Sequence, residues 1–408
     1  MTPAPVPTPA LPAHIRPESV RHCELFDRRI VYENPYATLI PRIHEGPAVF
    51  YADNILVGPK PGWVVRRNAA LRKIYADTEH FHKRGNSGFA QMIGESWDII
   101  PTELDPPVHT AFRASLNPVF SASRMMELDG LVRERARFYI DKFKDRGSCE
   151  FVSEFGINFP ISIFLDLLGL PQERRPQFLE WENQLLHGTD YEARVTSVRA
   201  VKQLLLETIE DRKKNPGDDL ISKALKLTVE GRRWTDIEVF GHCFNLYLGG
   251  LDTVTSNLGL HFHHLATTPG HQETMRNNNS LQNAVAIEEL LRGYAAVTTQ
   301  RICSKPYELD GHRMMPGDFV AMSTPLAGRD PEAYESPNEI RLDRRAPHLS
   351  LGHNPHRCLG QHLARREIQI AISEFLAAVP QFQIESGFKV PFFLGGIIHI
   401  PTLPLTWS

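Results

Sequence analysis

Residues 351–368 read LGHNPHRCLGQHLARREI, which sets Cys358 two places before Gly360, just ahead of a helix-like run. Three histidines, His353, His356 and His362, and a basic fringe surround it. Three chemistries suit a cysteine so placed. A buried free thiol is commonly inert. Zinc accepts these residue types, but the order H-x2-H-x-C-x3-H fits neither a usual finger nor a hydrolase site. The third is a thiolate ligand to haem iron, and the local chemistry favours it. Amides and the dipole of a helix starting after Cys358 stabilise a thiolate, and hydrogen bonds to sulfur tune an iron it holds. Gly352 and Gly360 let the backbone pass close to a planar ring. His356 and Arg357 offer positive partners to propionates.

A second cluster lies upstream. Thr235 and Glu238 have the spacing of a capping box, and the run after them holds no proline until Pro269. That predicts one long helix of about 34 residues, or roughly 50 Å. In its middle stands Gly249-Gly250-Leu251-Asp252-Thr253. Paired glycines there cost roughly 1 kcal/mol each relative to alanine. They imply either another helix packed close or a kink where a small or flat group meets the backbone. Asp252 and Thr253 add a carboxylate and a hydroxyl at that point.

Elements that position these residues are mostly helical. Apolar spacing predicts helices over about 123–143, with Met125, Met126, Leu128, Leu131, Val132, Phe138 and Ile140 on a buried face, and over 159–169, 197–213 and 359–379. Strand signals gather at 48–58, as a hairpin around Asp53-Asn54, at 301–323 around Asp310-Gly311, and at 390–408. The fold class is mainly α with a smaller β-rich region. The start, MTPAPVPTPALPAHIRP, reads as a flexible proline-rich tail over residues 1–20, followed by a single catalytic domain over 21–408.

The composition excludes several functions. A net charge of −3 over 408 residues gives no basic surface for nucleic acid. No apolar run nears the ~18–20 residues of a membrane helix. Cysteines 23, 149, 243, 303 and 358 are odd in number and scattered, which argues against a disulfide framework and for a reducing cytoplasm.

The Cys358 stretch resembles the cysteine-ligand loop of cytochrome P-450 monooxygenases, Phe-x-x-Gly-x-(Arg/His)-x-Cys-x-Gly. Gly352, His356, Cys358 and Gly360 fit; Leu351 and Asn354 depart where phenylalanine and glycine are usual. Glu289-Leu290-Leu291-Arg292 resembles the family's Glu-x-x-Arg helix, and residues 249–253 its oxygen-binding helix. Residues 105–113 resemble its propionate-binding helix start, and Arg329-Asp330-Pro331 with the Arg344 region its meander. GGLDTV, EELLR and CLGQHLARREI are most similar to the camphor hydroxylase subfamily of bacteria.

The resemblance implies a triangular helical prism with a long central helix over haem b. It also implies insertion of one oxygen atom from O2 into a small apolar substrate. Cys358 would ligate the iron, and His109, Arg113, Arg301 and His356 would contact the propionates. Asp252 would relay protons, Thr253 would hold dioxygen and its water, and Glu289 and Arg292 would be structural. Alignment with the camphor hydroxylases places Trp97 where they carry a tyrosine that hydrogen-bonds a ketone, and adds Leu248, Val297 and Ile397 to the pocket. The expected substrate is therefore a cyclic terpenoid or an ionone-like norisoprenoid rather than camphor.

No G-x-G-x-x-G follows a predicted strand, and no iron–sulfur cysteine cluster exists, so electrons must come from outside. The resemblance points to a [2Fe–2S] ferredoxin with an NAD(P)H-dependent flavin reductase, docking near Arg72, Lys73, Arg113, Arg344 and Arg345 of a monomer. The alternative, a haem-thiolate ligand-binding or gas-sensing protein without turnover, has no need of the Asp252–Thr253 pair.

Overall fold

The computed structural model describes residues 11–408 apart from 29, 56–59, 86 and 380. The central helix forms as two halves. Thr235 caps the first, Asp236–Gly250, by accepting the Glu238 N–H while the Glu238 carboxylate accepts the Thr235 N–H. The second half runs Asp252–Thr267, and Leu251 between them bends away at φ −100° and ψ −72°. The Thr253 hydroxyl donates to the Gly249 carbonyl across the break at 2.7 Å. Such back-bonding from a threonine to the preceding turn bends a helix. A Cβ at Gly249 would meet nothing within 4 Å, so close helix packing is not the reason for this glycine.

Two other helices form the floor and its support. The cysteine helix, Gln361–Ala378, packs on Asp129–Ile140 and on the second half of the central helix. The helix Ser280–Gly293, which carries Glu289 and Arg292, packs against it and meets Arg365 through Glu288. One apolar core joins these elements, a second holds the first central half, Asn158–Leu168 and Trp97, and a third lies under the sheet.

Several expectations shift. The helix over 123–143 divides into Ala122–Met126 and Asp129–Ile140, and Met126 and Phe138 are exposed. The break resets the phase of the apolar stripe, and Phe138 instead lies under the Lys142 ammonium. The helix expected from 197 starts at Tyr191, because the Asp190 carboxylate accepts the N–H groups of Glu192 and Ala193.

The six-stranded sheet runs in the order Val20–Arg21, Val49–Ala52, Gly62–Val65, Phe319–Ser323, Thr298–Cys303, Phe81–His82. Asp310-Gly311 turns a hairpin as expected, with both residues at positive φ. The hairpin around Asp53-Asn54 does not close there. Val49–Ala52 pairs with Gly62–Val65, Ala52 opposite Gly62, and 56–58 lie outside the described residues. The tail expected over 1–20 is packed in its later part. Ile15 is buried and Val20 pairs with Tyr51, whereas 1–10 lie outside the described residues.

Candidate functional site

The cysteine loop is a turn built from the backbone. Cys358 N–H donates to the Leu351 carbonyl at 2.8 Å, and Arg357 N–H to that of Asn354 at 3.0 Å. Asn354 sits at φ 53°, in the left-handed region. Asparagine is among the few non-glycine residues that tolerate it, which explains its presence at a position where glycine is usual. The Gly360 N–H reaches the sulfur, and a Cβ at Gly360 would meet nothing within 4 Å. Burial raises the Cys358 thiol above its ordinary value, against the Gly360 hydrogen bond and the charges of Arg113, Arg365 and Arg357. The helix start alone therefore does not make a thiolate here. A metal would, since a coordinating thiol is deprotonated outright.

Positive groups converge beside this loop. Arg301 is 2% exposed on the strand Thr298–Cys303, its guanidinium over the Tyr75 ring at 5.2 Å. His109, on the helix Val108–Leu116, stacks obliquely on His356 with ring centroids 4.3 Å apart. The His109 Nδ1 is buried with no hydrogen-bond partner. Arg113, one turn on, donates to the Arg357 carbonyl at 2.7 Å and so ties this helix to the cysteine loop.

Sequence reasoning missed a fifth member. Phe81–His82 pairs with Cys303 and Ile302, so the register carries Lys83 opposite Arg301. Burial and Arg301 lower the Lys83 ammonium to about 7, and burial with Arg301, His109, Lys83 and Arg113 lowers His356 to about 2. Burial and Arg113 lower His109 to about 4. The nearby carboxylates are engaged elsewhere. Asp105 accepts the backbone N–H groups of Lys83 and Arg84, with His356 4.0 Å away, and Glu103 accepts those of Ser87 and Ile99. Guanidinium, ammonium and imidazole donors gathered here, one imidazole nitrogen without a partner, suit two propionates, and the glycines at 249 and 360 leave room for a flat ring. These residues fit haem.

At the break in the central helix, Asp252 is 8% exposed, and its Oδ1 lies 3.2 Å from His187 Nε2. Its Oδ2 has no partner. Burial pushes its carboxyl up, but the His187 hydrogen bond and charge and the charge of His399 outweigh it and hold it below the carboxylate range. The Glu182 carboxylate accepts the Asp252 backbone N–H, and burial and the Asp252 charge push it well above that range.

The family model for cytochrome P450 matches residues 161–386. The chain belongs to the cytochrome P450 family. It is 37% identical to a probable cytochrome P450 127A1 of Sinorhizobium fredii over 99% of this chain and 98% of that one. It is also 29% identical to cytochrome P450 107B1 of Saccharopolyspora erythraea over 82% of this chain and 85% of that one. Its fold superposes on the crystal structure of cytochrome P450 CYP101C1 with a TM-score of 0.87 at 30% identity, covering 98% of this chain and all of that one. As a P450 it is a haem b monooxygenase.

In this P450 the Glu289–Arg292 pair is a buried hub rather than a surface pair. Arg292 meets the Glu289 oxygens at 2.7 and 2.8 Å and the carbonyls of Gly328, Pro337 and Glu339 at 2.6–2.8 Å. Arg344 donates to the same carboxylate at 3.0 Å and is 7% exposed. It therefore belongs to the hub and not to a docking face, because burial in this network removes it from solvent. Arg345 and Lys73 are exposed.

Trp97 is 7% exposed and packs edge-on against Phe240 and Phe244. Its N–H donates to Glu95 at 2.9 Å, and Lys202 pairs with Glu95 as well. The structure brings Val297 and Ile397 together as an antiparallel bridge, and Leu248, half-buried, packs against the core that holds Trp97. Lys83, Glu182, His187 and His399 were not singled out from sequence. Only the short Phe81–His82 pairing and the order of helix and loop bring them in.

Proposed function

We propose that this P450 hydroxylates a small apolar substrate, a cyclic terpenoid or ionone-like norisoprenoid, with electrons from a [2Fe–2S] ferredoxin and its NAD(P)H-dependent flavin reductase. The observation that carries the reading is the break at Leu251, which leaves Asp252 Oδ2 unpartnered next to a threonine hydroxyl. A protein that only binds a ligand has no use for that pair.

Haem bound through Cys358 supplies the reductive activation of O2 and the oxygen transfer. Arg301, Lys83, His109, Arg113 and His356 would hold its propionates. Thr253 donates its hydroxyl hydrogen bond to the Gly249 carbonyl, so its oxygen would remain an acceptor for a water. Asp252, held ionised, takes a proton and passes it inward. Trp97, Leu248, Val297 and Ile397 line the substrate side. With its N–H given to Glu95, Trp97 offers an apolar ring face and not a hydrogen bond, which favours hydrocarbon cages and rings over a ketone grip. Arg72, Lys73, Arg113 and Arg345 form the docking face for the acidic donor. The five free cysteines suit a monomer working in a reducing cytoplasm.

Thr253→Ala is expected to keep haem and substrate binding while sending most electrons to peroxide. Unchanged product per NADH would remove Thr253 from the mechanism. Ionones are expected to shift the haem spin state in a titration and camphor to do so poorly. Tight camphor binding with a single product, unaffected by Trp97→Ala, would contradict the substrate class.

A further inference from the structure

Asp252 is buried, yet a carboxylate that spends a proton in each cycle must regain one from solvent. Its ion-pair partner is His187, which follows the helix Arg175–Leu186, and the Ser256 hydroxyl also acts on the carboxylate. The His187 side chain is 25% exposed while that of Asp252 is 10% exposed, so the imidazole spans the distance from carboxylate to surface. On its other face lies His399, with ring centroids 4.6 Å apart. We propose that His187 reloads Asp252 with protons from solvent, as a titrating partner and not as a fixed counter-charge.

The step is a simple proton transfer. The imidazolium N–H at Nε2 breaks as an O–H forms on Asp252 Oδ1, and the neutral imidazole regains its proton from water on its exposed side. The hydrogen bond at 3.2 Å supplies the contact for it. Other charged or titratable groups bias this pair. Glu182, on the same helix as the approach to His187, accepts the Asp252 backbone N–H. His399, on the C-terminal strand region, repels a charge on His187 and is itself lowered, by burial first and then by His187. Arg28, from the N-terminal segment, acts on both Asp252 and His399, and Arg194 faces Arg28. The imidazole thus lies between the Asp252 carboxylate and the His399 ring, with its remaining surface toward solvent.

The proposal rests on Asp252 as proton donor, and the test separates the two. Holoenzyme carrying His187→Arg or His187→Gln is assayed with ferredoxin, reductase and a spin-shifting substrate across roughly pH 6–8, where an imidazole changes charge. Wild type is expected to lose rate as pH rises through that range. His187→Arg, which keeps the positive charge but does not titrate, is expected to be about tenfold slower or more, with that limb absent. His187→Gln should match it. In reduced, carbon-monoxide-bound protein, the ring-nitrogen NMR signal lost in His187→Gln is expected to move when Asp252→Asn removes its partner. An arginine variant with wild-type rate and pH profile, or a His187 signal indifferent to Asp252→Asn, overturns the proposal. Asp252→Asn that turns over like wild type overturns the proton role of Asp252 itself.

Discussion

The hub around Glu289 and the cluster around Arg301 are both buried and both charged, yet they are built in opposite ways. In the hub, each carboxylate oxygen and guanidinium nitrogen of the Glu289–Arg292 pair meets a partner, and Arg344 and the Arg341 N–H complete the set. In the cluster, five cationic or basic side chains crowd together, Asp105 is spent largely on backbone amides, and the His109 Nδ1 bonds to nothing. A closed network of buried charge holds a fold, because breaking it strands an ion in low dielectric. An open one, whose carboxylates are spent on backbone amides, leaves donors that an anionic ligand can satisfy. The difference agrees with the proposed division of the two regions into scaffold and haem seat.

The comparison breaks first at Arg292. Arg292→Ala leaves Glu289 buried without its main partner and is expected to cost about 3–5 kcal/mol. Denaturant midpoints of apoprotein and holoprotein should both fall. If the loss is small, the hub is no scaffold.

The cluster should behave in the reverse sense. Lys83→Met removes a buried like charge, so the apoprotein is expected to be as stable as wild type or more so. Haem affinity should nevertheless fall about 10–100-fold, the worth of one charge-assisted hydrogen bond at roughly 1.5–3 kcal/mol. Apoprotein unfolding and haem titration measure the two effects separately. A destabilised apoprotein with unchanged haem affinity would place Lys83 in the scaffold.

A third kind of buried polar group sharpens the contrast, because it is kept neutral. Burial lowers His261 to about 3, His263 to about 4, His242 to about 4, and His264, with its neighbouring histidines, to about 3, all from 6.5. Below pH 6.5 the unfolded chain binds protons that the fold refuses, so stability falls as pH drops toward those values and returns as it rises. Each histidine adds a slope of about 1.4 kcal/mol per pH unit in that window. Urea midpoints measured from neutral pH downward check it. A flat profile to pH 5 would mean that these imidazoles reach water.

How much of this was legible in the sequence depended on whether the signal was local. Cys358, Glu289 and Arg292 announce themselves through neighbours a few residues away, and the Thr235 cap marked the start of the central helix, but the glycine pair left close packing and a kink equally open, and the one long helix expected there is two. Lys83 enters only through the pairing of a two-residue strand, too short for any period to show. His187 and His399 meet Asp252 from a helix end and a C-terminal strand, and nothing in their own surroundings marks them. Arg344 looked like a surface charge, because charge pattern cannot distinguish a guanidinium in solvent from one completing a buried carboxylate's shell. Trp97 was read as a pocket residue with a free donor, whereas it lies in the apolar core of the first central half with its N–H given to Glu95, two places away, whose side-chain direction the sequence does not give.

Central to the account is the claim that the donor cluster around Arg301 and Cys358 together seat haem on a thiolate. Reduced wild-type protein saturated with carbon monoxide tests it most directly. The account predicts the red-shifted Soret band of thiolate ligation, lost on Cys358→His with haem still bound. A histidine-type band from wild type, or protein that purifies with stoichiometric zinc and no haem, would contradict it.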